Sequence, residues 1–182
     1  MKTLKIWHAF VLLAGIVWVS ASCNKTNDEI KLDFDITVPD DWVFYKFNQD
    51  NIVYYALSPL EDQNDTLQES LLITKELTSG ATLSAYFIAI VNDLAEDTSF
   101  HVVYLSDTTI NGFESKKLIH KQIFLAIDQS RQDTLTFDGE ALKYFFVRNN
   151  YGYVVSFNAL VSTFKDYKPV FDTIMASYKF KN

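Results

Sequence analysis

Apolar and polar residues alternate along most of the chain, with the period of two that is typical of β-strands. The alternation predicts strands over residues 33–38, 42–47, 52–58, 70–77, 100–106, 113–127, 141–148 and 153–161, with a short strand or tail at 177–180. Asn111-Gly112 and the segment 149–152 are typical of tight hairpin turns, because Asn and Gly accept positive φ. Since nearly every connection is of this kind, the sheet is expected to be mostly antiparallel.

Two segments have the helical period instead. Residues 82–94 place one apolar stripe along a predicted helix, and a second predicted helix follows Ser162-Thr163. Pro169 lacks a backbone N–H, so the second helix proper is expected to begin there, after a tighter first turn. The stripes consist of Leu83, Tyr86, Phe87, Ile90 and Leu94 in the first helix, and of Phe164, Tyr167, Phe171, Ile174 and Met175 in the second. Residues 59–68 and 128–138 are predicted to be polar loops.

These elements predict an α+β domain with the architecture of a three-layer α/β/α sandwich. A mostly antiparallel sheet of about 7–8 strands forms the middle layer of the predicted domain. Two helices cannot cover such a sheet completely, but one helix on each face completes the three layers. The domain is predicted to span residues 33–182, with no internal repeat and no linker.

Three groups of residues, in the right order, resemble the PsbP/Mog1 superfamily. They are the strand, Pro39 and Trp42 of segment 34–42, the turn Ile110-Asn111-Gly112-Phe113, and the aromatic closing segments 144–153, 167–171 and 177–178. Together they cover nearly all of residues 33–180. The resemblance implies an α/β/α sandwich around an antiparallel sheet, preceded by a β-hairpin. It implies little chemistry, because proteins of this fold serve as accessory, assembly and binding proteins.

Residues 1–22 have the three parts of a secretory signal peptide. Lys2 and Lys5 precede an apolar stretch over residues 6–19, and small residues follow it. The stretch is about 14 residues long, too short to span a ~30 Å hydrocarbon core comfortably as a helix. A transmembrane anchor is therefore the weaker interpretation of this segment.

Cys23 follows the small residues Ala21-Ser22 and resembles the lipobox cysteine of bacterial lipoproteins, which is diacylated on sulfur and becomes the first mature residue. Ser20 departs from the commonest lipobox pattern, and a plain secreted protein with an incidental Cys23 is the alternative. Two or three acyl chains, palmitate among them, are expected to anchor the protein stably in a membrane.

A polar tether is predicted over residues 23–32. It lacks the Asp just after the cysteine that resembles an inner-membrane retention signal of some Gram-negative bacteria, so the outer membrane is the expected location. Whether the domain faces the periplasm or the cell surface stays open. Loss of the leader would leave 160 of the 182 residues, and the net charge would change from −7 to −9 because the leader carries Lys2 and Lys5 and no acidic residue.

Composition excludes several classes of protein. With 48% apolar and 15% aromatic residues, the bulk of the chain is too hydrophobic to be intrinsically disordered. Its single cysteine excludes a disulfide framework and a Cys-based zinc cluster. The acidic balance, without a basic patch, argues against a nucleic-acid partner.

The sequence contains no recognisable catalytic constellation, and no metal or cofactor is predicted. His101 and His120 lie in predicted strands, where neighbours are expected to satisfy them, and no Gly-x-Ser-x-Gly elbow is present. Carboxylates cluster at residues 61–65 and again at Asp128, Asp133 and Asp138. Solvated acidic loops are the expected state, and a weak divalent-ion site is the alternative, since neither loop has EF-hand spacing.

Aromatic residues crowd the first predicted hairpin, Phe47 among them, and five are candidate contact residues: Trp42, Phe44, Tyr45, Tyr54 and Tyr55. Cover by a helix is one interpretation, and an exposed patch that grips a protein or a glycan is the other. Asp65-Thr66-Leu67 and Asp133-Thr134-Leu135 also resemble the O-glycosylation sequon of some Gram-negative phyla.

The leading hypothesis is a lipid-anchored envelope lipoprotein that acts as a non-catalytic binding or assembly module through these five aromatic residues. Its partners are expected to be the membrane, through the acyl chains on Cys23, and an envelope protein or glycan. One alternative is an envelope hydrolase or carbohydrate-active protein that uses the loop carboxylates Glu61 and Asp62 or the histidines. A purely structural envelope lipoprotein is the other.

Overall fold

A seven-stranded antiparallel sheet with one helix on each face makes up most of the structure, a computed structural model that describes residues 32–46, 49–60, 67–128 and 133–181. The elements in these residues are β1 (Phe34–Asp35), β2 (Val43–Phe44), β3 (Ile52–Leu57), β4 (Ser70–Leu77), α1 (Leu83–Leu94), β5 (His101–Ile110), β6 (Phe113–Asp128), β7 (Asp133–Arg148), β8 (Tyr151–Leu160), α2 (Phe164–Ser177) and β9 (Lys179–Phe180). The predicted fold class is confirmed.

The strands of the sheet lie in the order β2-β3-β4-β8-β7-β6-β5, and every neighbouring pair is antiparallel. β1 and β9 form a separate two-stranded ladder in which Phe34 lies opposite Phe180. The first strand therefore pairs with the last one, whereas β2 pairs with β3 in the first predicted hairpin. β2 and β5 are the two edges of the sheet.

The two helices lie on opposite faces because the faces of β7 alternate residue by residue. Phe145 faces α1, in a cluster with Phe87 and Ile90. Its neighbours Tyr144 and Phe146 belong to the larger cluster under α2. α1 begins after Thr82, whose hydroxyl accepts a hydrogen bond from the N–H of Ala85 at 3.2 Å, as an N-cap residue does.

The core under α2 is built from aromatic rings. Phe171 of α2 stacks on Phe157 with ring centroids 4.7 Å apart, and Tyr178 stacks on Phe146 at 5.3 Å. Each fully buried side chain of this size contributes roughly 1.5–3 kcal/mol through removal from water. Much of the aromatic content of the chain thus lies in this layer, which fixes the position of α2.

Both predicted tight turns are confirmed. Asn111 and Gly112 have φ values of 48° and 88°, and Asn149 and Asn150 have values of 51° and 65°. Two consecutive residues at positive φ are typical of the two-residue hairpin turns that match the twist of the strands they join.

The prediction that α2 begins at Pro169 is wrong: the helix begins at Phe164 and contains Pro169. The first turn has the regular hydrogen bonds of a helix start, with Thr163 as the N-cap residue. The N–H groups of Asp166 and Tyr167 both donate to the carbonyl of Thr163, at 2.9 and 3.1 Å. Burial of the Phe164 ring at the helix start supplies a further reason for the earlier beginning.

The predicted loop over residues 128–138 is also wrong, because β7 begins at Asp133. Residues 133–138 pair with β6, and Phe137 lies opposite the buried Phe124. Conversely, the strands predicted over residues 33–38 and 42–47 are only two residues long each. Ile36 and Val38 still pack on the core, so the alternation predicted which side chains are buried but not which backbone is paired.

Candidate functional site

β2 and β3 bring four of the five candidate aromatic residues together at one edge of the sheet. The register sets Phe44 opposite Ala56, and its ring lies beside Tyr54 with centroids 5.0 Å apart. Tyr45 and Tyr55 pair on the other face at 6.1 Å, where the N–H of Tyr45 donates to the carbonyl of Tyr55 at 2.9 Å. This aromatic edge, Phe44 and Tyr54 with Tyr45 and Tyr55, presents one ring pair on each face.

The outer residues of the aromatic edge, together with the neighbouring Val43, are open to solvent. Val43, Phe44 and Tyr45 are 49%, 45% and 38% exposed, whereas Tyr54 and Tyr55 are half-buried beneath them. Burial, together with the neighbouring Tyr45, raises the pKa of Tyr55 to about 12, so its phenol stays neutral. The surface therefore combines apolar ring area with neutral hydroxyls, as interface aromatics do.

Trp42 differs from the other four candidates because it also packs on the core. Its ring meets Phe171 of α2 edge-on with centroids 6.2 Å apart, and the side chain is half-buried. The backbone N–H of Trp42 donates to the carbonyl of Pro39 at 3.0 Å, which closes the turn before β2. Replacement of Trp42 would therefore disturb α2 as well as any contact with a partner.

The sequence reasoning missed the opposite edge of the sheet. On β5, Val102, Val103, Tyr104 and Leu105 are each about half exposed, at 52%, 53%, 50% and 51%. Four consecutive apolar residues are a departure from alternation that could have been noticed, but only the strand order reveals that β5 has no partner on its outer side in the part of the chain that the structure describes.

A buried polar group, also missed, lies on the face of the sheet that α1 covers. The Lys143 ammonium on β7 donates to Ser156 Oγ on β8 at 2.9 Å, and burial lowers the pKa of Lys143 to about 8. A lysine base beside a serine hydroxyl has the elements of a nucleophile and its base. However, Ser156 is 3% and Lys143 8% exposed, so a substrate could not reach them without a movement of the covering layer.

The two histidines do not meet. His101 lies opposite Lys121, and His120 lies opposite Val102, so the two rings are on opposite faces of the sheet. His101 is exposed, whereas His120 is fully buried. Both ring nitrogens of His120 lack a hydrogen-bond partner in the part of the chain that the structure describes, which contradicts the expectation that neighbours satisfy this strand histidine.

Comparison with known proteins gives no match to a protein-family model and no match to a curated protein. Solved structures do match. LpqN of Mycobacterium tuberculosis, a protein involved in cell envelope biogenesis, matches with a TM-score of 0.59 and 13% identity, over 82% of this chain and 83% of its own. CyanoP, the PsbP of Synechocystis sp. PCC 6803, matches with a TM-score of 0.55 and 13% identity, over 81% and 86%. The Ran-binding protein Mog1p of Saccharomyces cerevisiae matches with 0.55 and 12%, over 81% and 90%.

The fold is PsbP/Mog1-like. At 12–13% identity these likenesses establish the architecture alone. Function in a PsbP/Mog1-like domain must be argued from its own surfaces and buried groups.

One cavity of this PsbP/Mog1-like domain, of about 510 Å³, lies between the N-terminus of α1 and strands β5 and β6. Its lining carries hydroxyl groups, such as those of Thr82 and Ser84, and the charged side chains of Asp107, Glu114 and Lys116. Lys116 is ion-paired with Asp107, so its charge is already compensated. No aromatic ring is present in the lining, so a sugar would find no stacking platform there.

Several predicted features of the domain fall outside the described residues: the leader, Cys23, most of the tether, and the carboxylates and Thr66 of segment 61–66. Thr134 is exposed on β7. Within the described ranges, no group of three or more His, Cys, Asp or Glu side chains could hold a metal ion. None of the helices in those ranges is long and apolar enough to cross a membrane.

Proposed function

We propose that this protein is a lipid-anchored envelope protein that acts as a non-catalytic binding module, with the aromatic edge as its contact surface. The observation that carries the proposal is a pair of exposed rings at the sheet edge: Phe44 in the two-residue strand β2 and Tyr45 directly after it, on opposite faces. Aromatic side chains of this kind supply much of the binding energy at protein interfaces. Trp42 borders the surface and supports it from the α2 side.

The proposed partner is an envelope protein. A glycan usually stacks on one flat aromatic face, whereas Phe44 and Tyr45 point to opposite sides of the sheet edge and would be enclosed together by a partner that wraps round it. The short β2 also leaves main-chain groups at its outer side, to which an extended segment could add.

The lipid anchor of the proposal rests on Cys23 and its leader. The fold neighbour LpqN, a protein involved in cell envelope biogenesis, supports an envelope location by analogy. Metabolic labelling with an alkyne analogue of palmitate tests the anchor directly. Wild-type protein should be labelled and Cys23→Ser should not; equal labelling of both would remove the anchor from the proposal.

The contact surface is tested by site-specific photo-cross-linking in cells. A photoreactive phenylalanine analogue replaces Phe44 on the aromatic edge, Tyr104 on the β5 edge, or Lys165 on the exposed side of α2. Cross-links to the same protein partner from position 44, but not from positions 104 and 165, are expected. Cross-links from position 104 alone would move the contact surface to β5, and products that a glycosidase removes would identify a glycan instead.

The hydrolase alternative gains no support from the described residues. Glu61 and Asp62 lie outside them, and Ser156 with Lys143 is shielded from substrate.

A further inference from the structure

Lys143 is a buried lysine whose charge has no counter-ion in the described structure. Its side chain is 8% exposed and lies on the face of β7 that α1 covers, beside Leu118 and Phe145. Ser156 Oγ accepts its one hydrogen bond, at 2.9 Å, and none of the ion pairs includes it. An ammonium has three N–H donors, so two of them have no acceptor.

His120 lies on the same face of the sheet, on the neighbouring strand β6. It is opposite Ala141, two residues from Lys143, and the positive charge of Lys143 acts on its ring. The ring is 0% exposed and packs on Phe100 with centroids 4.9 Å apart. Neither ring nitrogen has a hydrogen-bond partner among the described residues.

The donors of this cluster outnumber its acceptors. Lys143 has two spare N–H groups, the neutral His120 ring has one N–H donor and one acceptor nitrogen, and the Ser156 hydroxyl can donate its own proton because its oxygen is the acceptor for Lys143. A buried ammonium without a counter-charge is strongly destabilising. Each buried donor left unsatisfied adds to this destabilisation. Buried groups in this state call for a bound water or ion.

We propose that Lys143, Ser156 and His120 form a buried binding site for a small monovalent anion of halide size. An anion satisfies the spare donors and also neutralises the ammonium, whereas a water molecule satisfies the donors only. The apolar walls, Phe100, Leu118 and Phe145, favour a single-charged ion that sheds its hydration readily over a multivalent oxyanion. Burial lowers the pKa of Lys143 to about 8, and a neighbouring anion would favour the charged form of this side chain.

Crystals of the full chain grown in sodium bromide test the site directly, because bromide scatters anomalously. An anomalous peak within hydrogen-bonding distance of Lys143 Nζ and Ser156 Oγ is expected. Density for a water molecule in its place, or an empty position, at saturating bromide would overturn the proposal. This experiment is independent of the aromatic edge and of the lipid anchor.

Thermal unfolding with matched variants tests the same site in solution. Sodium bromide and sodium fluoride are compared at equal ionic strength, since fluoride holds its hydration shell more strongly. Bromide should raise the wild-type midpoint by about 2–4 °C relative to fluoride, because a ligand of the folded state stabilises it by mass action. The rise should vanish in Lys143→Met, whose uncharged chain fits an apolar site.

Lys121→Met is the control variant, since it removes an exposed charge from the opposite face of β6. It should retain the wild-type response to bromide. An equal bromide response in Lys143→Met would show that the ion acts on the protein generally and would overturn the proposal.

Discussion

His120 lies between the ring of Phe100 and the charge of Lys143, and both neighbours disfavour a proton on its imidazole. Burial is the larger cause and the Lys143 charge the second, and together they lower the pKa of His120 to about 3. Its usual value is about 6.5. Between these two values the unfolded chain binds a proton that the folded chain does not, so stability must fall as the pH falls through this range.

The resulting prediction concerns the free energy of unfolding between pH 6.5 and 5, a window above the titration of most carboxylates. In halide-free buffer this free energy should fall with decreasing pH, with a slope of up to about 1.4 kcal/mol per pH unit. His120→Phe should flatten the slope because it removes the group that titrates. Urea denaturation at several pH values measures the effect.

His101→Gln is the control, because its side chain is exposed and lies on the other face of the sheet. It should keep the wild-type dependence on pH. If His120→Phe kept that dependence as well, another group would be responsible.

The buried cluster shows what alternation can and cannot predict at the residue scale. In an alternating strand the period assigns each residue to a face, and Lys143 and Ser156 fall on the face of Phe145 and Val154. From the pattern alone, polar residues in a strand are predicted to be exposed to solvent. Their burial depends on how α1 and the segments beside it cover the sheet, which is a tertiary property that local pattern does not contain.

At the scale of elements, α2 departs most from its prediction. Pro169 lies at the sixth residue of the helix, where it cannot donate to a carbonyl one turn earlier. The side chain is exposed, so packing does not require a proline there. Thr173 Oγ1 donates to the Pro169 carbonyl at 2.9 Å and does not depend on the pyrrolidine ring.

We expect Pro169→Ala to stabilise the protein. Alanine is about 3 kcal/mol more favourable than proline inside a helix, and the greater freedom of the unfolded chain offsets about 1 kcal/mol of this gain. A net increase of about 1–2 kcal/mol should appear in urea denaturation, together with slightly stronger helical ellipticity. Pro39→Ala serves as the contrast, because Pro39 lies in a turn outside any helix and should give no such gain. A loss of stability in Pro169→Ala would mean that the ring itself supports the helix start.

Elements with local signals were predicted well, and elements that depend on a distant partner were not. β4 has the predicted bounds, and α1 begins one residue later than predicted. A capping threonine and a regular apolar period define α1 within its own segment. β7 extends into a polar segment because β6 offers it a long partner. The aromatic edge could be predicted from its composition. The exposed β5 edge could not, because strand order decides which strands lie outermost.

At the scale of the whole molecule, the first and last described strands close the structure together. The N–H of Lys181 donates to the carbonyl of Asp33 at 2.9 Å, and the Asp33 carboxylate accepts hydrogen bonds from Lys75 at 2.6 Å and from Tyr153 at 2.5 Å. Burial alone would raise the pKa of Asp33, but these two hydrogen bonds and the Lys75 charge hold it below its usual value. The strand that follows the tether is thereby joined to the centre of the sheet.

Tyr178 and Phe180 complete this closure from the C-terminal side. They are 1% and 2% exposed, and the Phe180 ring lies within 5.0 Å of the rings of Phe113 and Tyr153, measured between centroids. Loss of a buried aromatic side chain costs about 3–5 kcal/mol. Because a whole domain is stable by only about 5–15 kcal/mol, loss of both side chains should leave little net stability.

A chain that ends at Ser177 should therefore lose cooperative unfolding, while a chain that ends at Phe180 should retain it with a small decrease in midpoint. Near-ultraviolet circular dichroism during thermal unfolding distinguishes the two, since the stacked rings dominate that signal. Tyr178→Phe is the matched variant: its ring stays, and the hydroxyl that it removes is buried without a hydrogen-bond partner. This variant should be more stable than wild type by about 1 kcal/mol. Cooperative unfolding of the Ser177-terminated chain at the wild-type midpoint would show that the fold closes without its last strand.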